Sequence, residues 1–336
     1  MSASRQLRLA ARPVGEVKPS DFELVEAEAP RPAEGQIAVE VTHISIDPAM
    51  RGWMNEGRSY VPPVGIGEVM RALALGRVTE SRHPAFAEGE LVTGAFGVQE
   101  HAVTGAEGVQ RIPAGGALPP PTYLGVLGMT GLTAYFGLLD VGRVQAGDTV
   151  LVSGAAGAVG SAVGQIAKIK GARAVGIAGG PQKCALLVDE LGFDAAIDYK
   201  AGDLRDALRR HTPDWVDVFF DNVGGTILNE GLTRLGRGAR VAICGAISQY
   251  NNTEAMAGPS NYMSLLVNRA SMTGFLVFDF AERYGEAIAE MAGWAADGRL
   301  RNVEHTVRGR LEDFPEMLGR LFHGENTGKL VLELAR

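Results

Sequence analysis

Thr149-Val150-Leu151-Val152-Ser153 is an apolar run that ends directly on Gly154-Ala155-Ala156-Gly157-Ala158-Val159-Gly160, and a helix-length segment to Lys170 follows. A glycine pattern alone is weak. At the junction of a strand and a helix inside a βαβ unit it is informative. Gly157 lets the backbone approach a pyrophosphate whose charge rests on the helix N-terminus, and Gly160 permits close helix–strand packing. The plain alternative is a tight turn in a small-residue core; the context favours dinucleotide binding.

The flanking pattern repeats the same unit. Strands are predicted near 149–153, 173–178, 194–198, 216–221, 239–244 and 271–277, with helices at 158–170, 181–191, 202–211, 225–235 and 260–269. Near-continuous apolar strands such as Val216-Asp217-Val218-Phe219-Phe220 fit a parallel sheet covered on both faces. Six strands and five crossovers match the doubly wound fold, so the class is α/β.

Residues 1 to about 120 read differently. Ile37-Ala38-Val39-Glu40-Val41 alternates at period 2, short apolar runs follow at Gly76-Arg77-Val78 and Glu90-Leu91-Val92, and Pro and Gly recur between them. A barrel-like or sandwich-like β domain is expected. Pro119-Pro120-Pro121 cannot continue a helix or a central strand and marks a hinge, after which a helix-like stretch covers 124–139. The tail carries a helix from Glu312 to Phe322 and a last strand, Leu330–Leu334, expected to return to the first domain. The domains are therefore 1–123, completed by 303–336, and 124–302.

Composition narrows the partners. With 32 basic and 39 acidic residues the net charge is −7, against the excess of Lys and Arg that nucleic acid requires. No apolar run approaches the ~18–20 residues of a membrane span. Glycine stands at 45 of 336, about 13% against a usual ~7%, which suits many tight turns and close backbone approaches. Cys184 and Cys244 are too few for a disulfide framework, so a reducing, cytoplasmic setting is expected. Arg5, Arg8 and Arg12 loosely resemble a transit peptide, but Gln6-Leu7-Arg8-Leu9-Ala10 alternates as a half-buried strand does.

An NAD site usually places Asp or Glu at the end of the second strand. Here the residues are Ala178-Gly179-Gly180-Pro181-Gln182-Lys183: no carboxylate repels a 2′-phosphate, and Lys183 can pair with one. NADPH is the expected cofactor. The remaining strand ends, where this fold puts its ligands, carry Asp198-Tyr199-Lys200, Asp221-Asn222-Val223-Gly224-Gly225 and Cys244 through Tyr250.

Taken together, these segments resemble the medium-chain dehydrogenase/reductase superfamily, and more narrowly its zinc-free branch of leukotriene B4 dehydrogenase, prostaglandin reductase and curcumin reductase type. The likeness covers essentially the whole chain. It includes Asp47-Pro48-Ala49-Met50-Arg51-Gly52, Ser59-Tyr60-Val61-Pro62-Pro63, Gly67-Glu68-Val69-Met70, Gly128 through Tyr135, and Gly324-Glu325-Asn326-Thr327-Gly328-Lys329. The resemblance implies a GroES-like β-barrel built from both chain ends, a Rossmann domain between, and NADPH-dependent reduction of the C=C bond of α,β-unsaturated ketones and aldehydes. It places cofactor contacts on Ala156, Gly157, Ala158, Val159, Gly160, Lys183, Tyr199, Asn222, Cys244, Gly245, Ala246, Ile247, Ser248, Tyr250, Phe275, Leu276, Val277 and Asn326. It also suggests a homodimer through the last Rossmann strand.

Two departures are informative. Zinc-dependent relatives carry a Cys near Ser45-Ile46-Asp47 and a Gly-His-Glu motif where this chain has Gly65-Ile66-Gly67-Glu68, and the six histidines (43, 83, 101, 211, 305 and 323) show no metal spacing, so no metal is expected. Val98-Gln99-Glu100-His101 stands for an expected Trp-Gln-Glu-Tyr, and Ala72-Leu73-Ala74-Leu75 replaces a glycine-rich stretch. The substrate is therefore read only as a small apolar unsaturated carbonyl compound.

Without metal, the reaction needs a hydride donor, an electrophilic β-carbon and a group that stabilises the developing enolate. Tyr250, beyond the fifth strand, is the first candidate donor and Tyr60 the second. The alternatives are that Tyr250 only packs its own loop or covers the cofactor, and that the cofactor's ribose hydroxyl is the donor. Trp53, Met54, Met129, Tyr262 and Phe278 are either core or the lining of an apolar slot, and Cys184 reads as a buried small side chain. Quinone reduction and non-catalytic NADPH binding are the competing functions.

Overall fold

A computed structural model describes residues 3–115 and 118–335; residues 1, 2, 116, 117 and 336, which fall in the expected domain spans, lie outside the described residues. The chain divides into two units, Met1–Leu124 with Glu304–Arg336, and Gly125–Val303.

In the first unit, β1 (Ala3–Leu9) pairs antiparallel with β2 (Phe22–Glu28), which sets Leu7 opposite Leu24. β3 (Ile37–Ser45) begins with the predicted alternation, yet it is buried along most of its length because partners flank it on both edges. A short helix α1 (Ala49–Trp53) opens after Pro48. Then come β4 (Ala74–Ser81), β5 (Leu91–Gly94), β6 (His101–Thr104) and β7 (Gln110–Arg111). The proline run does not form a bare hinge. Pro120–Tyr123 is a 3₁₀ turn, whose first positions suit proline's fixed φ.

The second unit starts with α2 (Met129–Phe136), which runs on through a π-turn to Val141. Strands and helices then alternate: β8 (Thr149–Ser153), α3 (Ala158–Ile169), β9 (Arg173–Ala178), α4 (Pro181–Ala185), β10 (Ala195–Asp198) and α5 (Leu204–His211). They continue as β11 (Val216–Asp221), α6 (Gly225–Leu232), β12 (Leu235–Ile243), α7 (Met263–Asn268) and β13 (Ser271–Gly274). The sheet is wholly parallel with the order β10-β9-β8-β11-β12-β13. This is the expected six-stranded doubly wound sheet. Its core gathers Leu151, Val175, Ile177, Phe219, Leu232 and Val241.

Several predicted bounds move. Helix 225–235 ends at Leu232, and the next strand starts at Leu235 rather than 239, with an irregular register against β11 between Val216 and Val218. Strand 271–277 stops at Gly274, and a 3₁₀ helix begins at Val277. Helix 260–269 contracts to α7, closed by Arg269 in the left-handed region at φ 51°. Helix 181–191 turns from α to π at Leu186. The sequence does not predict α8 (Tyr284–Ala296), although Ala287, Met291 and Trp294 mark its buried stripe at helical spacing.

The tail returns to the first unit. β14 (Glu304–Gly309), α9 (Phe314–Phe322) and β15 (Lys329–Leu334) complete a seven-stranded sheet of order β14-β15-β3-β4-β5-β7, with β6 on β3. Val331 lies opposite Ser45. The core of this unit includes Ile37, Val39, Ile44, Met50, Met54, Phe314 and Leu318.

Candidate functional site

The carboxyl ends of β8 to β13 gather most of the expected cofactor residues within one unit. β8 is buried throughout and runs into Gly154, which turns the chain at φ +58°. Gly157 caps α3 in extended conformation, with its N–H on the Gly154 carbonyl at 2.9 Å. A β-carbon on Gly160 would come within 2.8 Å of Ala155 Cα and closer still to the Gly154 carbonyl oxygen, so this glycine is a packing requirement. A β-carbon on Gly157 would meet only the Gly154 oxygen, at 3.2 Å. Gly157 therefore leaves room on its outer side. Ala156 is buried, Ala158 and Val159 are half-buried, and the first turn of α3 carries no acidic residue. The donor set fits an anionic pyrophosphate.

At the end of β9, Gly179 and Gly180 precede Pro181, and Gly180 adopts φ +98°, which a side chain would strain. At the end of β10, Asp198 Oδ1 accepts the N–H groups of Gly180 and Lys200, both at 2.9 Å. These two bonds hold the Asp198 carboxyl below its ordinary pKa. Lys183 is half-buried; burial, and then the charge of Lys200, hold its ammonium below the usual lysine range. The Tyr199 ring is exposed. Burial, and then the charge of Asp198, raise the pKa of the neighbouring Cys184 thiol.

Asp221, at the end of β11, is fully buried and ties three strand ends together. Its Oδ1 accepts Ser153 Oγ–H at 2.6 Å and Val223 N–H at 3.2 Å, and its Oδ2 accepts Gly224 N–H at 2.9 Å. Burial raises the Asp221 pKa, and these bonds oppose the shift only in part. Ser153 Oγ in turn accepts Asn222 N–H at 2.8 Å, and Asn222 Nδ2 donates to Ser153 O at 2.7 Å. Asn222 is thus oriented by a neighbour that the sequence does not flag. Ser153 reads as strand and Asp221 as one member of a strand-end turn; only the fold shows that they bond.

The loop from Cys244 to Tyr250 docks onto that hub. Cys244 N–H reaches Asp221 O at 2.8 Å, Ile247 N–H reaches Asn222 O at 3.2 Å, and Ser248 Oγ–H reaches Val223 O at 2.7 Å. Burial and then Asp221 raise the Cys244 thiol to about 12. Tyr250 turns back over its own loop, and its hydroxyl oxygen accepts Ala246 N–H at 3.1 Å. A β-carbon on Gly245 would sit 2.9 Å from that oxygen, so glycine there makes room for the phenol. Ile247–Gln249 forms one 3₁₀ turn between them.

Phe275, Leu276 and Val277 follow β13 rather than ending it. The Phe275 ring packs on Phe220 edge-to-face at 6.0 Å and fills the space beside Gly137. Tyr262 and Phe278 are exposed.

Asn326 and Tyr60 belong to the other unit. Asn326 is buried and donates Nδ2–H to Gly328 O at 2.8 Å. Tyr60 is 46% exposed on the segment between α1 and β4, and its hydroxyl accepts the Trp53 indole N–H at 3.1 Å. Met54 is core, not slot. Lys329 is 1% exposed, and its ammonium reaches Asp47 Oδ1 at 2.7 Å and Ile46 O at 2.9 Å, while Ser45 Oγ–H bonds Asp47 Oδ2. The Ser45-Ile46-Asp47 segment, which lacks the Cys expected of zinc-dependent relatives, holds the Lys329 ammonium. That set does not fit a metal, and no group of three or more His, Cys, Asp or Glu able to hold one occurs among the described residues.

Comparisons with known proteins agree with this architecture. Residues 5–112 match the family described as the N-terminal domain of oxidoreductase, and residues 158–293 match the family described as zinc-binding dehydrogenase. NADPH-dependent curcumin reductase of Escherichia coli (strain K12) is 38% identical over 339 residues, 99% of this chain and 97% of that protein. Prostaglandin reductase 1 of Bos taurus is 38% identical over 325 residues, 95% of this chain and 96% of the relative. The crystal structure of CurA in complex with NADPH from Vibrio vulnificus superposes with a TM-score of 0.93 at 42% identity, covering 99% of each chain. The chain belongs to the medium-chain dehydrogenase/reductase superfamily, in its zinc-independent branch with the curcumin, prostaglandin and 2-alkenal reductases.

Proposed function

We propose that this chain is an NADPH-dependent reductase that saturates the C=C bond of small apolar α,β-unsaturated ketones and aldehydes. Likeness along the full length to the curcumin, prostaglandin and 2-alkenal reductases carries the reading. The carboxylate-free end of β9, with Lys183 beside it, supports NADPH over NADH. When bound, NADPH supplies the hydride that adds to the β-carbon of the substrate.

The chain's own residues supply position and charge. Gly157 and the first turn of α3 receive the pyrophosphate; Asn222, held by Ser153, and the Cys244–Ser248 backbone face the nicotinamide half. Tyr250 donates its hydroxyl proton toward the substrate carbonyl as negative charge builds on that oxygen. The Ala246 N–H received by the same oxygen polarises the hydroxyl and strengthens it as a donor. A donor of this kind contributes roughly 2–4 kcal/mol to the transition state. Tyr60, which receives the Trp53 indole N–H in the same manner, is the second donor.

We also propose a homodimer through β13. That strand is the outermost of its sheet and all four of its residues are exposed. Met263, Leu266 and Val267 on α7 are exposed as well, Leu266 at 71%. An open strand edge beside exposed apolar side chains is suited to a two-fold copy of itself. Sedimentation should give a dimer, and a monomeric wild-type protein would refute this state. With two free cysteines, the chain suits a reducing cytoplasm.

The functional test is NADPH consumption with an unsaturated ketone, an unsaturated aldehyde, a quinone and a saturated ketone, with product analysis. Saturation of the C=C with the carbonyl intact is expected. Turnover of the quinone alone would replace the reading with quinone reduction, and cofactor binding without turnover would make the chain a binding protein. Tyr250→Phe should lower kcat with enones about 30-fold or more; unchanged turnover would remove Tyr250 from the chemistry.

A further inference from the structure

The ends of β9 and β10 lie side by side in parallel register, Ala178 beside Asp198, so Gly179-Gly180 and Tyr199-Lys200 leave the sheet as neighbouring turns. Asp198 locks the two turns together through its bonds to Gly180 N–H and Lys200 N–H. A β-carbon on Gly179 would fall 2.9 Å from Tyr199 Cε1, 3.0 Å from Lys200 Cε and 3.1 Å from Tyr199 Oη. The phenol edge and the lysine stem therefore lie directly across the bare Gly179 backbone. The Lys200 ammonium sits 5.8 Å from the centre of the Tyr199 ring. All of this occupies the strand end at which the adenosine ribose 2′ position is recognised in this fold.

We propose that Lys200 is a second cation for the cofactor's 2′-phosphate, sharing with Lys183 and the Tyr199 hydroxyl the discrimination between NADPH and NADH. The inference rests on the cofactor reading above and extends it to a residue that neither the motif nor the resemblance singles out. The two ammonium groups act on each other: the Lys200 charge, after burial, depresses Lys183. Two cations held together in this way gain when a dianion enters between them. Asp198 Oδ1 is engaged by two backbone donors, one from each turn. Gly179 is then required for a reason separate from the backbone turn. Any side chain there would push Tyr199 and Lys200 off the position they hold.

Equilibrium binding of NADPH and NADH to the full chain tests the proposal, with adenosine 2′-monophosphate and adenosine 5′-monophosphate as fragment probes. Lys200→Gln is exposed and leaves the sheet untouched. It should shift the ratio of the NADPH to the NADH dissociation constant about tenfold towards NADH, and weaken the 2′-monophosphate relative to the 5′-monophosphate by a similar factor. Lys183→Gln should do the same, and the double variant more than either. Gly179→Ala should reproduce the shift while both lysines remain, since the clash falls on side-chain ends. An unchanged ratio in Lys200→Gln, or equal weakening of NADPH and NADH, overturns the assignment. Failure of the wild-type chain to prefer NADPH would instead refute the cofactor reading, before any variant is compared.

Discussion

Replacing each of two glycines in the loop after β8 by alanine separates a packing role from a ligand role. At Gly160 the added β-carbon would lie 2.8 Å from Ala155 Cα and 2.9 Å from the Gly154 carbonyl carbon. Both are backbone atoms, and carbon atoms settle at about 3.5–4.0 Å. The start of α3 must therefore move away from its own loop by roughly 1 Å. α3 cannot do so freely, because Gly160, Ala162, Val163, Ile166 and Ala167 are all buried. Overpacking of this kind costs about 1–3 kcal/mol, and backbone contact on two atoms places Gly160→Ala at the upper end.

At Gly157 the geometry differs. Its φ of −84° suits any residue, and the added carbon meets only the Gly154 oxygen, at 3.2 Å. A shift of a few tenths of an ångström relieves that contact, and the loss of glycine's freedom in the unfolded chain returns about 0.4–1 kcal/mol. Gly157→Ala should therefore unfold within about 2 °C of wild type, whereas Gly160→Ala should unfold about 5 °C lower or more. For NADPH affinity the order should reverse: Gly157→Ala obstructs the approach of the pyrophosphate and should weaken binding at least tenfold at nearly full stability. Thermal unfolding and NADPH titration decide both points. Equal melting temperatures for the two variants, or Gly157→Ala binding NADPH as wild type does, would refute the division of roles.

Two further outcomes follow from buried charges. Lys329→Met removes the buried partner of a partly buried ion pair and leaves the Asp47 carboxylate bonded to Ser45; it should lower unfolding free energy in urea by about 1–3 kcal/mol, and a loss under about 0.5 kcal/mol would show that the ammonium is dispensable. Burial holds the folded-state pKa of Asp221 above its unfolded value of ~3.9, so between the two the folded chain binds more protons and this group's contribution to stability declines as pH rises. Asp221→Asn abolishes that titration: the advantage of wild type over the variant should be larger at pH 5 than at pH 8, and a constant or reversed difference would sink the sign.

Much of the second unit is legible in the sequence because its strands are apolar on both faces and its turns carry glycine. β8, β9 and β11 stand where the pattern puts them, since β8 is buried throughout and β9 and β11 at all but one residue each. The misjudged bounds share a physical cause. The irregular register between β11 and β12 comes from tertiary pairing, and no local pattern shows it. No side-chain cap opens helix α8, and Gly285 and Gly293 lie inside it, where glycine lowers helix propensity, so the local pattern does not mark it.

The functional residues divide in the same way. Gly157, Gly160, Lys183 and Asn222 stand out in the sequence because a dinucleotide would dictate residue type at fixed spacing. Ser153, Asp221 and Lys329 act by contacts between residues 68 to 283 positions apart, so no window of sequence contains them. Lys329 shows why this matters for chemistry. The absence of Cys near Asp47 and of His near Glu68 says only that a metal's ligands are missing. The ammonium placed on Asp47 Oδ1 adds what the sequence does not show: that carboxylate is paired with a cation that is covalently part of the chain. In the proposed reaction, hydrogen-bond donors would meet the enolate charge. The two tyrosines, each with an N–H donated to its hydroxyl oxygen, are therefore the groups on which the rate should depend.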